Sequence, residues 1–314
     1  MSIFTTTLSQ TAFLFLFIIL GYVLSKEKFV ADNAHTVLSK LENLVFIPAL
    51  ILGTFIANFT PQKLSVAWKL LASSTGVCLL AIALSLLCAR FCTKDGYERK
   101  IYTYGLSFSN FSFMGNAIVG ALFPEVFLEY IIFTIPIWTL IYLWGAPALL
   151  MGNDAKQTLS QRLKSLVNPM FACTLLGMVI GVANIPVPSF VSSAISSAGN
   201  CMSPLAMLLT GMTIAQFDLK KILTVKSVYL VTFLRLIVYP LIFIGVAAFV
   251  PMDKTFAICA LCSLAMPLGL NTIIVPSAYG KDTRVASGMA LVSHILACIT
   301  IPLIMMLFQH VISQ

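Results

Sequence analysis

Few residues in this sequence could do chemistry away from a surface, and each sits in apolar surroundings: Arg235 in "RLIVYP", His294 in "LVSHILA", Asn116 in "GNAIV" and Asn271 in "LNTII". Arg235 follows Lys226 by nine residues, about 13 Å along a helix and so near the middle of an apolar segment. A cation at that depth either balances an anionic solute or holds the carbonyl ends of a neighbouring broken helix. The amides of Asn116 and Asn271 offer donors to an anionic or polar solute, or join one helix to another. His294 is the deep group that titrates near neutral pH, as a proton carrier for coupling or as a packing hydrogen-bonder. Gly115, Gly269, Pro267 and Pro276 flank the asparagines; proline removes helix hydrogen bonds and glycine permits an unwound backbone. Thr134, Trp138 and Thr139 are weaker candidates for a cavity wall, since threonine in a membrane helix commonly bonds its own backbone.

What is missing also bears on function. The acids, Glu42 among them, are assigned to loops or segment ends, so no intramembrane carboxylate is expected to carry a proton or anchor sodium. An intramembrane enzyme would need a His/Asp, Ser/Lys or Asp/Asp set on facing segments, and none is seen, so no catalytic residue is assigned. Cys88/Cys92 and Cys259/Cys262 have helical context and lack a nearby histidine, so neither a metal nor a cofactor is expected.

The elements that position these groups follow from composition. Hydrophobic residues make up 59% of the 314 and charged residues 10%, with mean hydropathy +0.99, which excludes a soluble surface. Apolar segments read as 8–25, 38–57, 65–91, 100–123, 127–150, 167–184, 189–216, 226–250, 255–279 and 285–308. Ten spans of ~20 residues fill this length and leave no soluble domain. A net charge of +8 would point to nucleic acid in a soluble protein, but the basic residues lie between apolar runs. Fourteen of the nineteen occupy the odd-numbered connections, from Lys26 and Lys28 to Lys281 and Arg284. The positive-inside rule then makes those loops cytoplasmic and both termini extracytoplasmic.

An internal repeat accompanies this pattern. "ENLVFIPALILGTFIANFTPQKL" from Glu42 resembles "GNCMSPLAMLLTGMTIAQFDLKKI" from Gly199, pairing Asn43 with Asn200, Gly53 with Gly211 and Lys63 with Lys221. Lys100, Ser109 and Gly115 recur 154 residues later as Lys254, Ser263 and Gly269, and Asn116 recurs 155 later as Asn271. The expected fold is therefore all-α, ten transmembrane helices in two inverted five-helix repeats, 1–150 and 167–314, joined by a cytoplasmic linker at 151–166. Spans four and nine, with Gly, Asn and Pro in mid-segment, are expected to break, and the substrate site is placed at Asn116, Asn271, Gly115, Gly269, Pro267, Arg235 and Thr134. Asn43 and Asn200 are expected to bond each other at the interface of the halves.

"PALILG", "GNAIVGALFP", "RLIVYP" and "AMPLGLNTIIVPSAYG" together resemble the auxin efflux carrier family, whose bacterial members are described as malate or malonate permeases. The resemblance implies a scaffold from spans 1, 2, 6 and 7, a transport domain from the rest, and an organic anion held where helices four and nine cross. There an Asn contacts the carboxylate, which carried over falls on Asn116 and, by symmetry, Asn271. The long hydrophilic central loop of the plant members is reduced here to about 151–166, and Met114-Gly115 stands where they have a proline, so the break in span four is expected to be softer and auxin is not a safe substrate. A secondary carrier of a small carboxylate in the cell membrane is thus expected, moving by an elevator-like shift, with H+ or Na+ open as the coupling ion. A sodium-coupled symporter of the bile-acid type is the rival. Expected partners are the anion and the bilayer, with a homodimer allowed and nucleic acid excluded.

Overall fold

The computed structural model describes residues 3–31, 33–151, 157–216 and 224–312, and their side chains except those of Ile3, Phe4, Thr6, Thr7, Ser65 and Ile312. Among these residues every regular element is helical, and the one β contact is an isolated antiparallel bridge between Ser109 and Leu268. Helices dominate because lipid offers no partner to a backbone N–H or C=O, so each must be satisfied within the protein. Six helices among the described residues are long and apolar enough to cross a membrane: α1 (Ile3–Lys26), α2 (Ala34–Asn58), α3 (Pro61–Cys92), α6 (Pro124–Leu150), α11 (Lys226–Phe249) and α14 (Arg284–Ile312). A seventh arises if the pair α7 (Leu159–Leu166) and α8 (Pro169–Val182), bent by 51°, counts as one span.

Shorter helices occupy the remaining segments: α4 (Gly96–Ser107), α5 (Phe111–Leu122), α9 (Ser189–Asn200), α10 (Met202–Ala215), α12 (Lys254–Ala265) and α13 (Asn271–Ala278). The apolar runs 100–123 and 255–279 are thus each two helices. Starts follow local capping chemistry. Asp95 accepts from Tyr97 N and Glu98 N, Asp253 from Phe256 N, and Thr60 precedes Pro61 at the first position of α3. Large apolar side chains such as Phe91 and Phe249, 86% and 89% exposed, face outward, the reverse of a soluble protein and the expected surface towards lipid. Lys156, Phe217, Lys220 and Lys221, which entered the charge and repeat patterns, lie outside the described residues.

Small residues decide which helices come closest. A Cβ on Gly211 of α10 would run into the backbone oxygen of Ile18 on α1, and one on Gly21 into that of Leu208. Gly181 of α8 lies against the backbone oxygens of Phe55 on α2 and of Phe59 just past its end. Backbone-to-backbone approach of this kind stands in for the hydrophobic drive that lipid removes. Gly211→Leu is expected to cost about 1–3 kcal/mol or more, because backbone cannot move aside as a side chain can; the drop in melting temperature of the purified protein measures it.

One acid is placed differently from expectation. Glu42 belongs to no loop or helix end: α2 begins at Ala34, so Glu42 lies two turns inside a continuous helix, 0% exposed, with both carboxyl oxygens unpartnered. The apolar run read as starting at residue 38 conceals the polar first turn of the same helix. A buried polar group without a partner is destabilising, so Glu42→Leu is expected to raise stability by about 1–3 kcal/mol, visible as a higher melting temperature.

Candidate functional site

Two interrupted helices meet at their gaps. α4 ends at Ser107 and the chain restarts in α5 at Phe111; α12 ends at Ala265, Pro267 denies the next turn an N–H donor, and α13 restarts at Asn271. The two gaps pair as short extended segments. Asn110 N donates to Pro267 O at 2.8 Å, and Gly269 N reaches Phe108 O at 3.4 Å. A Cβ on Gly269 would stand 3.1 Å from Ser109 O and 3.3 Å from Phe108 O, so the crossing needs glycine for close approach.

Interrupting a helix in an apolar interior exposes backbone groups of both polarities, and this protein treats them differently. The carbonyl ends of α4 and α12 are met by Arg235, only 1% exposed, at the π-helical turn Leu234–Val238 within α11. Its Nη1 donates to Leu106 O at 3.0 Å, Nη2 to Ser263 O at 2.9 Å and Nε to Met266 O at 3.1 Å. One cation therefore neutralises the negative ends of two helix dipoles and satisfies three orphan carbonyls. The opposite ends, the first turns of α5 and α13, border a cavity of about 90 Å³; in α13 the N–H groups of Thr272 and Ile273 are taken by Gly269 O and Leu270 O, whereas no side chain caps the first turn of α5. Its polar wall includes Asn43, Tyr104, Asn110, Ser112 and Asn271. No charged side chain lines it among the described residues. At ~30 Å³ per liquid water the space suits a solute of a few heavy atoms. The uncapped N-terminus of α5 and the side-chain amides, with no carboxylate in the wall among the described residues, make it an environment for an anion.

Within the wall the hydrogen bonds define donors and acceptors. Asn271 Nδ2 donates to Tyr104 Oη at 3.2 Å, which leaves the tyrosine proton free. Asn110 Nδ2 lies 3.0 Å from His294 Nε2, and His294 Nδ1 lies 2.7 Å from Ala290 O. Trp138 adds an apolar face.

The sequence-derived residues are distributed unevenly around this cavity. Asn271 and Gly269 line it, and Pro267 forms the gap beside it. His294 touches it through Asn110. Arg235 lies outside the wall, its three kinds of N–H directed at carbonyls, the capping arrangement that its depth allowed. Asn116 and Gly115 are not at the gap. Both are helical, Gly115 with φ −64° and ψ −47°, and Asn116 lies buried five residues beyond the restart at Phe111. Gly115 instead gives room to Tyr130, whose hydroxyl occupies the space of its missing Cβ. Thr134 bonds Ile131 O at 2.8 Å and Thr139 bonds Ile135 O at 2.7 Å, each within its own helix. Asn43 donates to Ser39 O at 2.8 Å and faces the cavity, whereas Asn200 lies along a separate groove between α2 and α9, so the expected Asn43–Asn200 pair is replaced by two different environments.

Asn110 escaped the sequence reading because "SNFSF" carries neither Gly nor Pro at the gap. The signal was the match "NAIV" to "NTII", which aligns Asn116 with Asn271 at 155 residues, while the two helix restarts, Phe111 and Asn271, stand 160 apart.

Paired interrupted helices in an apolar bundle, with a polar cavity at their crossing, describe a multi-pass membrane transporter. The family model described as "Membrane transport protein", the auxin efflux carrier-type family, matches residues 6–305, and the chain belongs to it. No curated protein matches the chain.

Proposed function

We propose that the chain is a secondary carrier of a small organic anion, a mono- or dicarboxylate, bound at the crossing of the interrupted helices. The observation that carries this reading is the division of labour at the gaps: Arg235 occupies the carbonyl ends, and the uncapped first turn of α5, with the side-chain amides of Asn110 and Asn271, is left facing the cavity. In this reading α4–α5 and α12–α13 are broken spans four and nine of ten, in two inverted halves, 1–150 and 167–314. α1, α2, α8 and α10, locked by glycine contacts, act as the scaffold against which the crossover body shifts like an elevator. The placement of basic residues in alternate connections supports a cell-membrane protein with both termini outside.

The test is uptake of labelled malate and malonate by proteoliposomes, with and without a sodium gradient, beside melting-temperature shifts of the purified protein in each acid. Accumulation without sodium, together with stabilisation by at least one of the two acids, is expected. Strict sodium dependence would turn the reading to a bile-acid-type symporter, and the absence of both uptake and stabilisation would remove the anion site.

A further inference from the structure

His294 takes no part in capping the helices, yet it is fully buried on α14 and reaches the cavity wall through one side chain, Asn110. The chemistry of its two contacts assigns its proton. A carbonyl oxygen only accepts, so the contact with Ala290 O places the ring hydrogen on Nδ1. Nε2 is then an acceptor, and Asn110 Nδ2 must be the donor to it. The amide of Asn110 is thereby oriented: one N–H is directed at the imidazole and away from the solute space, while Oδ1 is left without that partner. An acceptor oxygen bordering the cavity repels a carboxylate, which accepts and never donates.

A proton on Nε2 reverses this pattern. The ring then donates from both nitrogens, an NH2 group opposite Nε2 is a donor facing a donor, and only Oδ1 can serve as partner. A half-turn of the amide about its last torsion satisfies the imidazolium and releases the NH2 group towards the cavity. The backbone does not need to move, because Asn110 N is held by Pro267 O.

Resting on the anion reading above, we propose that His294 and Asn110 form a proton-operated amide switch, in which protonation of His294 turns the Asn110 NH2 towards the cavity and so couples proton uptake to binding of the carboxylate. The imidazolium also adds a positive charge beside the anion. The surroundings isolate the ring. α10 and α13 carry no titratable residue. Away from the helix ends, where Lys26, the Tyr97–Lys100 run, Lys226, Tyr229, Lys254, Arg284 and His310 lie, the elements packed on α14 bring Tyr22 from α1, Tyr102 and Tyr104 from α4, Arg235 and Tyr239 from α11, and Cys259 and Cys262 from α12, with Cys298 on α14 itself. Arg235 is the permanent charge in this set, and it is directed at three carbonyls. Glu42, with its buried carboxyl group, lies outside the cavity wall.

The experiment measures malate binding to the purified protein by titration calorimetry from about pH 6.5 to about pH 8, where malate stays ionised, in two buffers of different ionisation heat. Affinity is expected to weaken by roughly tenfold as pH rises across this range, with net proton uptake on binding, by reciprocal linkage of the two ligands. His294→Gln, which keeps a hydrogen-bonding partner for Asn110, is expected to bind malate with no pH slope and no proton uptake; Glu42→Gln is expected to keep both. Wild-type binding whose pH slope and proton uptake survive in His294→Gln overturns the switch and leaves the anion site standing. Wild-type binding without proton uptake overturns it also, whatever the variant does, and absence of malate binding at every pH removes the site and the switch together.

Discussion

Arg235→Met is expected to leave little folded protein. The substitution strips partners from Leu106 O, Ser263 O and Met266 O together, in a place no water or lipid headgroup replaces them. Each unsatisfied buried carbonyl costs about 1–3 kcal/mol, and the sum is comparable with the ~5–15 kcal/mol that holds a typical domain together. Arg235→Lys, with one ammonium in place of a planar fork, is expected to fold with a lowered melting temperature, since a single point of donation cannot reach three carbonyls of two helices. Size-exclusion profiles in detergent and melting curves read both outcomes. A methionine variant that melts within a few degrees of the wild type would show that the gaps are capped by something other than the guanidinium, and the electrostatic case for an anion would go with it.

The second expected result separates the three asparagines. Asn110→Ala and Asn271→Ala should each weaken malate binding by roughly tenfold or more, the loss that follows removal of a hydrogen bond to a charged group, while Asn116→Ala should change it less than about twofold. Binding isotherms measure the difference, and melting curves establish that each variant is folded. Asn271→Ala carries an additional consequence, because the Tyr104 hydroxyl loses the amide that now orients it. If Asn116→Ala abolishes binding and Asn110→Ala does not, the site follows the repeated motif instead of the helix gaps.

These asparagines also show how far residue order reaches. Asn271 was legible because Pro267 and Gly269 announce a helix interruption four and two residues before it. Asn110 was not, because its gap is imposed from outside: Phe108, Ser109 and Asn110 leave the helix where Pro267, Leu268 and Gly269 lie across them and exchange backbone hydrogen bonds with them. No local propensity encodes a partner 157 residues away. Glu42 escaped for a related reason: hydropathy marks where a segment becomes apolar, whereas α2 begins two turns earlier at Ala34.

Composition determined that the chain is a membrane protein, and apolar runs of about 20 residues, twice what a membrane strand needs, determined that it is helical. Motifs spread along the chain determined its family, and the depth of Arg235 limited that residue to an anion or a set of carbonyls. Only the tertiary structure chose between the two, by bringing Leu106, Ser263 and Met266, from two distant segments, within 3.1 Å of one guanidinium. It likewise decided which amides face the cavity and which partner His294 holds. Side-chain type sets what a group can bond, but in an interior where every polar group needs a partner, the fold determines which partner is within reach.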